Sequence, residues 1–251
     1  MSSYDFIGDI AIVKFSKENK KQKKKFAEEL LKRKNIKTVL EKADRVKGRL
    51  RIAKLNFIEG ENKRETLHKE NGCRFLLNVE SCYFSPRLSE DRKYVAGKVK
   101  KNERVLVMFG GVAPYAIAIA KLSKAKEIVS VEISKECSKY ARKNVGLNKT
   151  YNVDIIQGDV KRKLAGEFDL IVMARPNLKE TFLKYALAVA MKGTKIYYHC
   201  FCHQDELARN LERLKEEAKK EKRKIKIIGV RKTGDIAPYK FRYGVEIKVL
   251  D

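Results

Sequence analysis

No stretch of this 251-residue sequence approaches the ~20 apolar residues that a membrane-spanning helix needs, so no span is expected. The opening Met-Ser-Ser-Tyr-Asp has neither the basic nor the apolar region of a secretory signal, and the expected location is the cytoplasm. The five cysteines, Cys73, Cys82, Cys137, Cys200 and Cys202, are odd in number and scattered, so no disulfide framework is expected in a reducing compartment. Cys200, Cys202 and His203 lie close together, but no second ligand pair is spaced to complete a zinc site, and no metal is expected. Internal repeats are absent, and so is the three-glycine G-x-G-x-x-G fingerprint of dinucleotide binding. Acids are scarce beside bases: 32 Asp plus Glu against 58 Lys plus Arg, a net charge of +26. Solubility needs far less, and the excess implies a polyanionic partner, nucleic acid before anionic membrane. The Lys- and Glu-rich surfaces of thermophiles raise charges of both signs and do not account for such an imbalance.

What is present is organised around residues 105–133. Val105 to Phe109 is a short apolar run that reads as a buried strand, Gly110 and Gly111 follow at once, and a helical pattern starts near Pro114. Ile128 to Val131 forms a second apolar run that ends in Glu132. Strand, glycine turn, helix, strand and acid make half of a nucleotide-binding α/β unit. Glycine lets the backbone turn sharply and lets a ligand come close, and Glu132, 22 residues after Gly110, stands where a ribose diol needs acceptors. Without the three-glycine fingerprint, a nucleoside lacking a pyrophosphate, such as S-adenosylmethionine, is favoured over NAD. An ordinary βαβ turn is the competing reading.

Before this unit, the pattern predicts a small α+β module rich in antiparallel pairing. Gly8-Asp9 is a turn followed by a strand, and residues 17–34 form a lysine-rich amphipathic helix. Strands follow at 36–40, 49–57, 64–69 and 73–79, the last two joined by an Asn71-Gly72 hairpin turn. A loop around Pro86 leads into a joining helix near 89–98. Strands are then predicted near 105–109, 127–132, 153–156, 169–173, 194–199, 225–231 and 242–249, and helices at 114–124, 134–147, 178–190 and 204–222. The final strand, after Pro238-Tyr239, is expected antiparallel at the sheet edge. The predicted architecture is an α/β class I methyltransferase (Rossmann-like) seven-stranded sheet with a smaller N-terminal α+β module. Residues 1–84 form the RNA-binding module, 85–100 the linker loop and helix, and 101–251 the cofactor-binding catalytic domain.

Open α/β sheets bind ligands at the carboxyl ends of their parallel strands, where four loops should gather. They are Phe109-Gly110-Gly111-Val112 through Tyr115, Glu132-Ile133-Ser134, Gly158-Asp159-Val160, and Ala174-Arg175-Pro176-Asn177. Glu132 would hold the ribose and Asp159 the adenine amino group, and the fourth loop would face the atom being modified. Acids after strands also cap helices, which is the competing reading for each. Tyr198 and His199 end a strand, where they line the pocket or pack in the core.

Several segments resemble the archaeal–eukaryotic tRNA (guanine-N1)-methyltransferases that act at guanine 37, and the sister family that transfers an aminocarboxypropyl group in wyosine synthesis. They include Gly8-Asp9-Ile10-Ala11-Ile12, Thr66-Leu67-His68-Lys69-Glu70-Asn71-Gly72-Cys73-Arg74-Phe75, Phe84-Ser85-Pro86-Arg87-Leu88, Met108-Phe109-Gly110-Gly111-Val112 and Ala237-Pro238-Tyr239. The resemblance spans nearly the whole chain and departs from the family at named places. Val107, Gly110 and Ala113 stand where the family usually has Asp, Ala and Gly. Ala174 takes the place of an Asn, while Pro176 is kept, and a Glu before the linker-helix Arg is Asp91. The separate tRNA-elbow domain has no counterpart.

The resemblance implies methyl transfer from S-adenosyl-L-methionine to N1 of guanine 37 of a tRNA by a monomer. Aminocarboxypropyl transfer and non-catalytic RNA binding are the alternatives. Guanine N1 is protonated at neutral pH, so a carboxylate that takes the proton and a cation at O6 would both assist. The resemblance places Arg51 as the cation and Asp91 as the carboxylate, with Glu90 adjacent. A phosphate contact for Arg51, and a first-turn helix acid or a salt bridge to Arg87 for Asp91, are the structural alternatives. Pro176 would shape the substrate loop, Asn177 would stand in for the missing amide, and Arg87, Arg92, Arg175 and Tyr198 would meet the substrate.

Overall fold

The structure, a computed structural model, describes residues 3–43, 53–174 and 180–251. Its N-terminal sheet has the order β1-β2-β3-β4. Strands β1 (Ser3–Ile7) and β2 (Ile10–Lys14) pair antiparallel across Gly8-Asp9. Helix α1 (Lys20–Leu31) carries the chain to β3 (Thr38–Lys42), which is parallel to β2, and β4 (Leu55–Gly60) pairs antiparallel with β3. The lysine-rich helix starts at a capping box between Asn19 and Gln22. It packs through one stripe, with Ala27 and Leu30 buried against Ala11, Val13 and Val39 of the sheet, which leaves its lysines to solvent.

Strands β5 (Glu65–Glu70) and β6 (Cys73–Asn78) form a separate hairpin. Asn71 and Gly72 both have positive φ, as the expected two-residue turn requires. The hairpin is held from both sides. The Gly8 N–H donates to His68 Nδ1 at 3.1 Å, and Thr66 Oγ1 donates to Asp9 Oδ1 at 2.7 Å. A Cβ at Gly8 would lie 2.0 Å from Thr66 Oγ1, so glycine is what allows this approach. On the other side the hairpin lies along α4 (Lys135–Asn148), where Asn148 Oδ1 accepts from the Arg74 N–H at 2.8 Å. A short turn of 3-10 helix at Pro86–Leu88 then leads into α2 (Ser89–Ala96).

The large sheet has seven strands: β7 (Arg104–Met108), β8 (Glu127–Glu132), β9 (Val153–Gln157), β10 (Phe168–Met173), β11 (Ala190–His203), β12 (Ile225–Ala237) and β13 (Lys240–Val249). Their spatial order is β12-β13-β11-β10-β7-β8-β9. Strands β7 to β11 are parallel to their neighbours among themselves, and β13 is antiparallel to both β11 and β12. The last strand therefore does not sit at the edge, as expected, but one place inside it. Burial decides this: Tyr243, Val245, Ile247 and Val249 of β13 are buried, whereas Ile228 and Val230 of β12 are 45% and 42% exposed. The β12 register against β13 shifts at three places, between Ile227 and Gly229, Lys232 and Gly234, and Asp235 and Ala237.

Helix α3 (Pro114–Leu122) and α4 cover one face of the sheet with α2 and the hairpin. On the other face lie the short α5 (Val160–Lys163), α6 (Leu183–Leu187) and α7 (Leu207–Lys220). Helix α6 is much shorter than the helix predicted over 178–190, part of which lies outside the described residues.

Candidate active site

The chain leaves β7 through Phe109, Gly111 and Ala113, all with φ near +60°. A Cβ at Gly110 would lie 2.1 Å from Ser130 Oγ of β8, so a glycine there lets the turn press against the neighbouring strand. At the end of β8, the Glu132 carboxylate accepts from the Gly111 N–H at 2.8 Å and from the Ser134 N–H at 2.7 Å. One side chain thus ties the first loop to the second, and Ser134 in turn caps α4. The third loop joins through the Gly158 N–H, which donates to the Glu132 carbonyl at 2.8 Å. Asp159 caps α5 by accepting from the Lys161 N–H. Ile133 is half-buried, and its carbonyl accepts from Gln157. Val112 and Val160 are buried in the core and can reach a ligand only through their backbone. Val107, where the family usually has an acid, is core packing.

Tyr115 departs from the expected cofactor role. Its ring is buried, and its hydroxyl donates to Asp91 Oδ2 at 2.5 Å. Asp91, in the first turn of α2, is 2% exposed and is the centre of a cluster drawn from four segments. Tyr197 donates to Asp91 Oδ1 at 2.6 Å, and His199 Nε2 lies 2.9 Å from Oδ2. Arg231 of β12 also bonds Oδ1 and stacks on the Tyr94 ring at 3.9 Å. Burial pushes the Asp91 carboxyl up, but the bonds from His199, Tyr115 and Tyr197 outweigh it and hold the group at about 2. Burial and the Asp91 charge push the Tyr115 and Tyr197 phenols well up. Asp91 therefore does not pair with Arg87, whose Nε donates instead to Asp5 at 2.6 Å. The period-2 alternation of β11 puts Tyr197 and His199 on the same face, and a Tyr-x-His spacing was the available signal for them. Arg231 had no local signal.

His199 lines a cavity of about 130 Å³ together with Phe109, Met173, Phe182, Tyr198 and Arg213. Tyr198 is half-buried there, and burial pushes its phenol up. Phe201, two residues after His199, borders both this cavity and a larger cleft of about 660 Å³. That cleft lies between the N-terminal sheet and the β12–β13 hairpin, and Lys14, Lys42, Arg87 and Arg242 are on its walls. Arg92, expected at the substrate, is corrected by the structure. It is 1% exposed, and its Nε and Nη2 fork onto the Glu70 carboxylate at 2.5 and 2.6 Å, a buried pair that joins α2 to the hairpin. Arg51, Arg175, Pro176 and Asn177 lie outside the described residues.

A seven-stranded sheet in this order, with a carboxylate clamped between the loops after its first two strands, defines a class I methyltransferase domain. The chain belongs to the TRM5/TYW2 methyltransferase domain family, whose model matches residues 66–228, and the TYW2 N-terminal domain matches residues 1–63. It is 35% identical over 250 residues to tRNA (guanine(37)-N(1))-methyltransferase Trm5b of Pyrococcus abyssi, covering 99% of this chain and 75% of that one. It is 31% identical over 247 residues to the tRNA(Phe) (4-demethylwyosine(37)-C(7)) aminocarboxypropyltransferase of Methanocaldococcus jannaschii, covering 98% and 97%. Among solved structures, wild-type Trm5b from Pyrococcus abyssi superposes with a TM-score of 0.90 at 35% identity, over 99% of this chain and 75% of that one. The complex of aTrm5 with tRNALeu gives 0.88 at 29% identity, over 99% and 72%. Methanocaldococcus jannaschii TYW2 with AdoMet gives 0.77 at 27%, over 99% of both.

Proposed function

We propose that this protein is a tRNA (guanine(37)-N1)-methyltransferase that uses S-adenosyl-L-methionine and works as a cytoplasmic monomer. The observation that carries this reading is one of position. The Glu132 clamp, the Asp91 cluster and the basic cleft between the modules meet at the carboxyl ends of the parallel strands. The residues present fit the cofactor: Glu132, at the end of β8 and bonded to the glycine turn after β7, offers a carboxylate to a ribose diol. When bound, S-adenosylmethionine supplies a methyl group on a positively charged sulfur. Glu132 orients the nucleoside, and the cleft's lysines and arginines draw in the tRNA backbone.

The match of residues 1–63 to the TYW2 N-terminal domain favours a second reading, aminocarboxypropyl transfer from the same cofactor. One assay separates the two. Transcribed tRNA is incubated with cofactor labelled on the methyl carbon or on the aminocarboxypropyl carbons. Methyl label on guanine 37 is expected. Aminocarboxypropyl label would establish the second reading, and no label on any tRNA would leave an RNA-binding protein without the reaction.

A further inference from the structure

Strand β11 outruns its parallel neighbour. Its pairing with β10 ends at Tyr198 opposite Met173, but β11 continues to His203 with β13 and β12 beside it. At ~3.3 Å per residue, residues 199–203 raise a three-stranded wall roughly 16 Å beyond the carboxyl end of β10. Residues directly opposite each other on antiparallel strands share a face. Phe201 of β11, Arg242 of β13 and Gly234 of β12 therefore form one row across the wall. All three line the cleft between the modules.

The row is built around the arginine. Its guanidinium lies over the Phe201 ring, 5.1 Å from the centroid. On the other side, Gly234 leaves room for it: a Cβ there would stand 3.7 Å from Arg242 Nη1. The two acids that line the cleft are already taken, Asp5 by Arg87 at 2.6 Å and Asp235 by Lys232 at 2.7 Å. No described carboxylate pairs with Arg242, and its Nε is buried without a hydrogen-bond partner among the described residues. A ring and a stacking interaction hold this cation in place, and its charge is not neutralised there. Lys14 and Lys42 of the N-terminal sheet add two more cations to the same cleft.

These features suit one kind of occupant. Unpaired nucleotides are held by stacking their bases on aromatic rings and guanidinium planes while cations meet their phosphates. The reaction also creates the need for such a surface. A base that leaves its stack to reach a methyl donor strips its neighbours of a stacking partner, at a few kcal/mol.

We propose that Phe201 and Arg242 form a stacking seat for the base of an unpaired nucleotide adjoining the target guanine, with Lys14 and Lys42 meeting its phosphates. This inference rests on the tRNA reading above. The seat replaces the stacking lost when the target is extruded. It offers a flat surface rather than a set of donors and acceptors, so it distinguishes an unpaired nucleotide from a paired one and not one base from another.

The test is a cycle of substitutions in protein and RNA, read by filter binding. The RNA is an anticodon stem-loop, intact or with an abasic nucleotide immediately before or immediately after guanine 37. The proteins are wild type, Phe201→Leu and Arg242→Lys. Loss of the seated base or of the Phe201 ring should each weaken binding ~5–100-fold, and loss of both should cost little more than loss of one. The abasic position that shows this coupling identifies the seated nucleotide. Arg242→Lys keeps the charge but not the plane. It should weaken binding of the intact RNA without changing the salt slope, and it should show the same coupling. Damage to the fold is blind to a missing base, so penalties that simply multiply at both abasic positions, for both variants, would overturn the seat. Full affinity in Arg242→Lys would make Arg242 a phosphate contact and overturn it as well. Coupling in a protein that never labels guanine 37 would support the seat and sink the methyl-transfer reading. Labelling of guanine 37 without coupling would do the reverse.

Discussion

Asn144 of α4 donates a hydrogen bond from Nδ2 to the carbonyl of Val112 in the loop after β7, at 3.1 Å. The same side chain exchanges bonds with both backbone groups of Leu76 on the hairpin, at 2.7 and 3.0 Å. It is fully buried, so no water can replace what it supplies. Asn144→Leu would leave the Leu76 and Val112 backbone groups unpaired, at about 1–3 kcal/mol for each buried group. The expected outcome is a lowered urea midpoint with an unchanged slope. A variant as stable as wild type would show that the hairpin does not depend on this amide.

Glu132 braces the loops after β7 and β8, and the proposed function gives it the cofactor ribose as well. Truncation removes two backbone bonds and, on that proposal, the ribose acceptor. Glu132→Ala should weaken S-adenosylmethionine binding by about 1–3 kcal/mol, measured by calorimetry. Equal affinity in the variant would remove Glu132 from the nucleoside site.

Asp91 makes the fold acid-sensitive in a defined window. Its folded value of about 2 lies below the usual 3.8, so folding favours the ionised form. The stabilisation is fully present above pH ~4 and is lost as pH falls toward 2, amounting to roughly 2 kcal/mol. Glu70, which burial raises but His68 and Arg92 pull lower, adds in the same direction. Denaturation followed from pH 5 to 2 should show Asp91→Asn losing less stability than wild type, whatever its stability at neutral pH. Parallel curves would assign acid sensitivity to other carboxylates.

The +26 charge should dominate RNA affinity. A protein that meets about six to ten phosphates loses ~10³–10⁵ in affinity between about 50 and 200 mM salt, with a linear log–log slope. Filter binding of tRNA across that range is expected to show a steep line. A flat one would mean that the lysines on α1 and the cleft walls do not meet the backbone.

The parts of the fold carried by short-range patterns are legible in the amino-acid sequence. The β7–β8 unit with its glycine turn and terminal Glu132, the Asn71-Gly72 hairpin and the order of strands and helices each depend on a few neighbouring residues. The position of β13 is not legible there, because β12 and β13 both alternate and only burial against β11 chooses between them. Nearness to Gly111 points Tyr115 at the cofactor, but a helix turns ~100° per residue, which carries its ring toward α2 instead. Arg92 reads as a substrate-binding cation until Glu70, 22 residues earlier, folds onto it. The Asp91 cluster draws on residues 91, 115, 197, 199 and 231, and no local window contains that set.

The three register shifts in β12 bear on how copies of this protein behave when crowded. Each shift adds a residue that the neighbouring strand cannot match, which bends the strand and puts its outward N–H and C=O groups out of step with any straight strand offered from outside. Lys226 adds an exposed positive charge along the same margin. A border this irregular offers a second copy no straight strand to pair with, so edge-to-edge association along that margin is disfavoured.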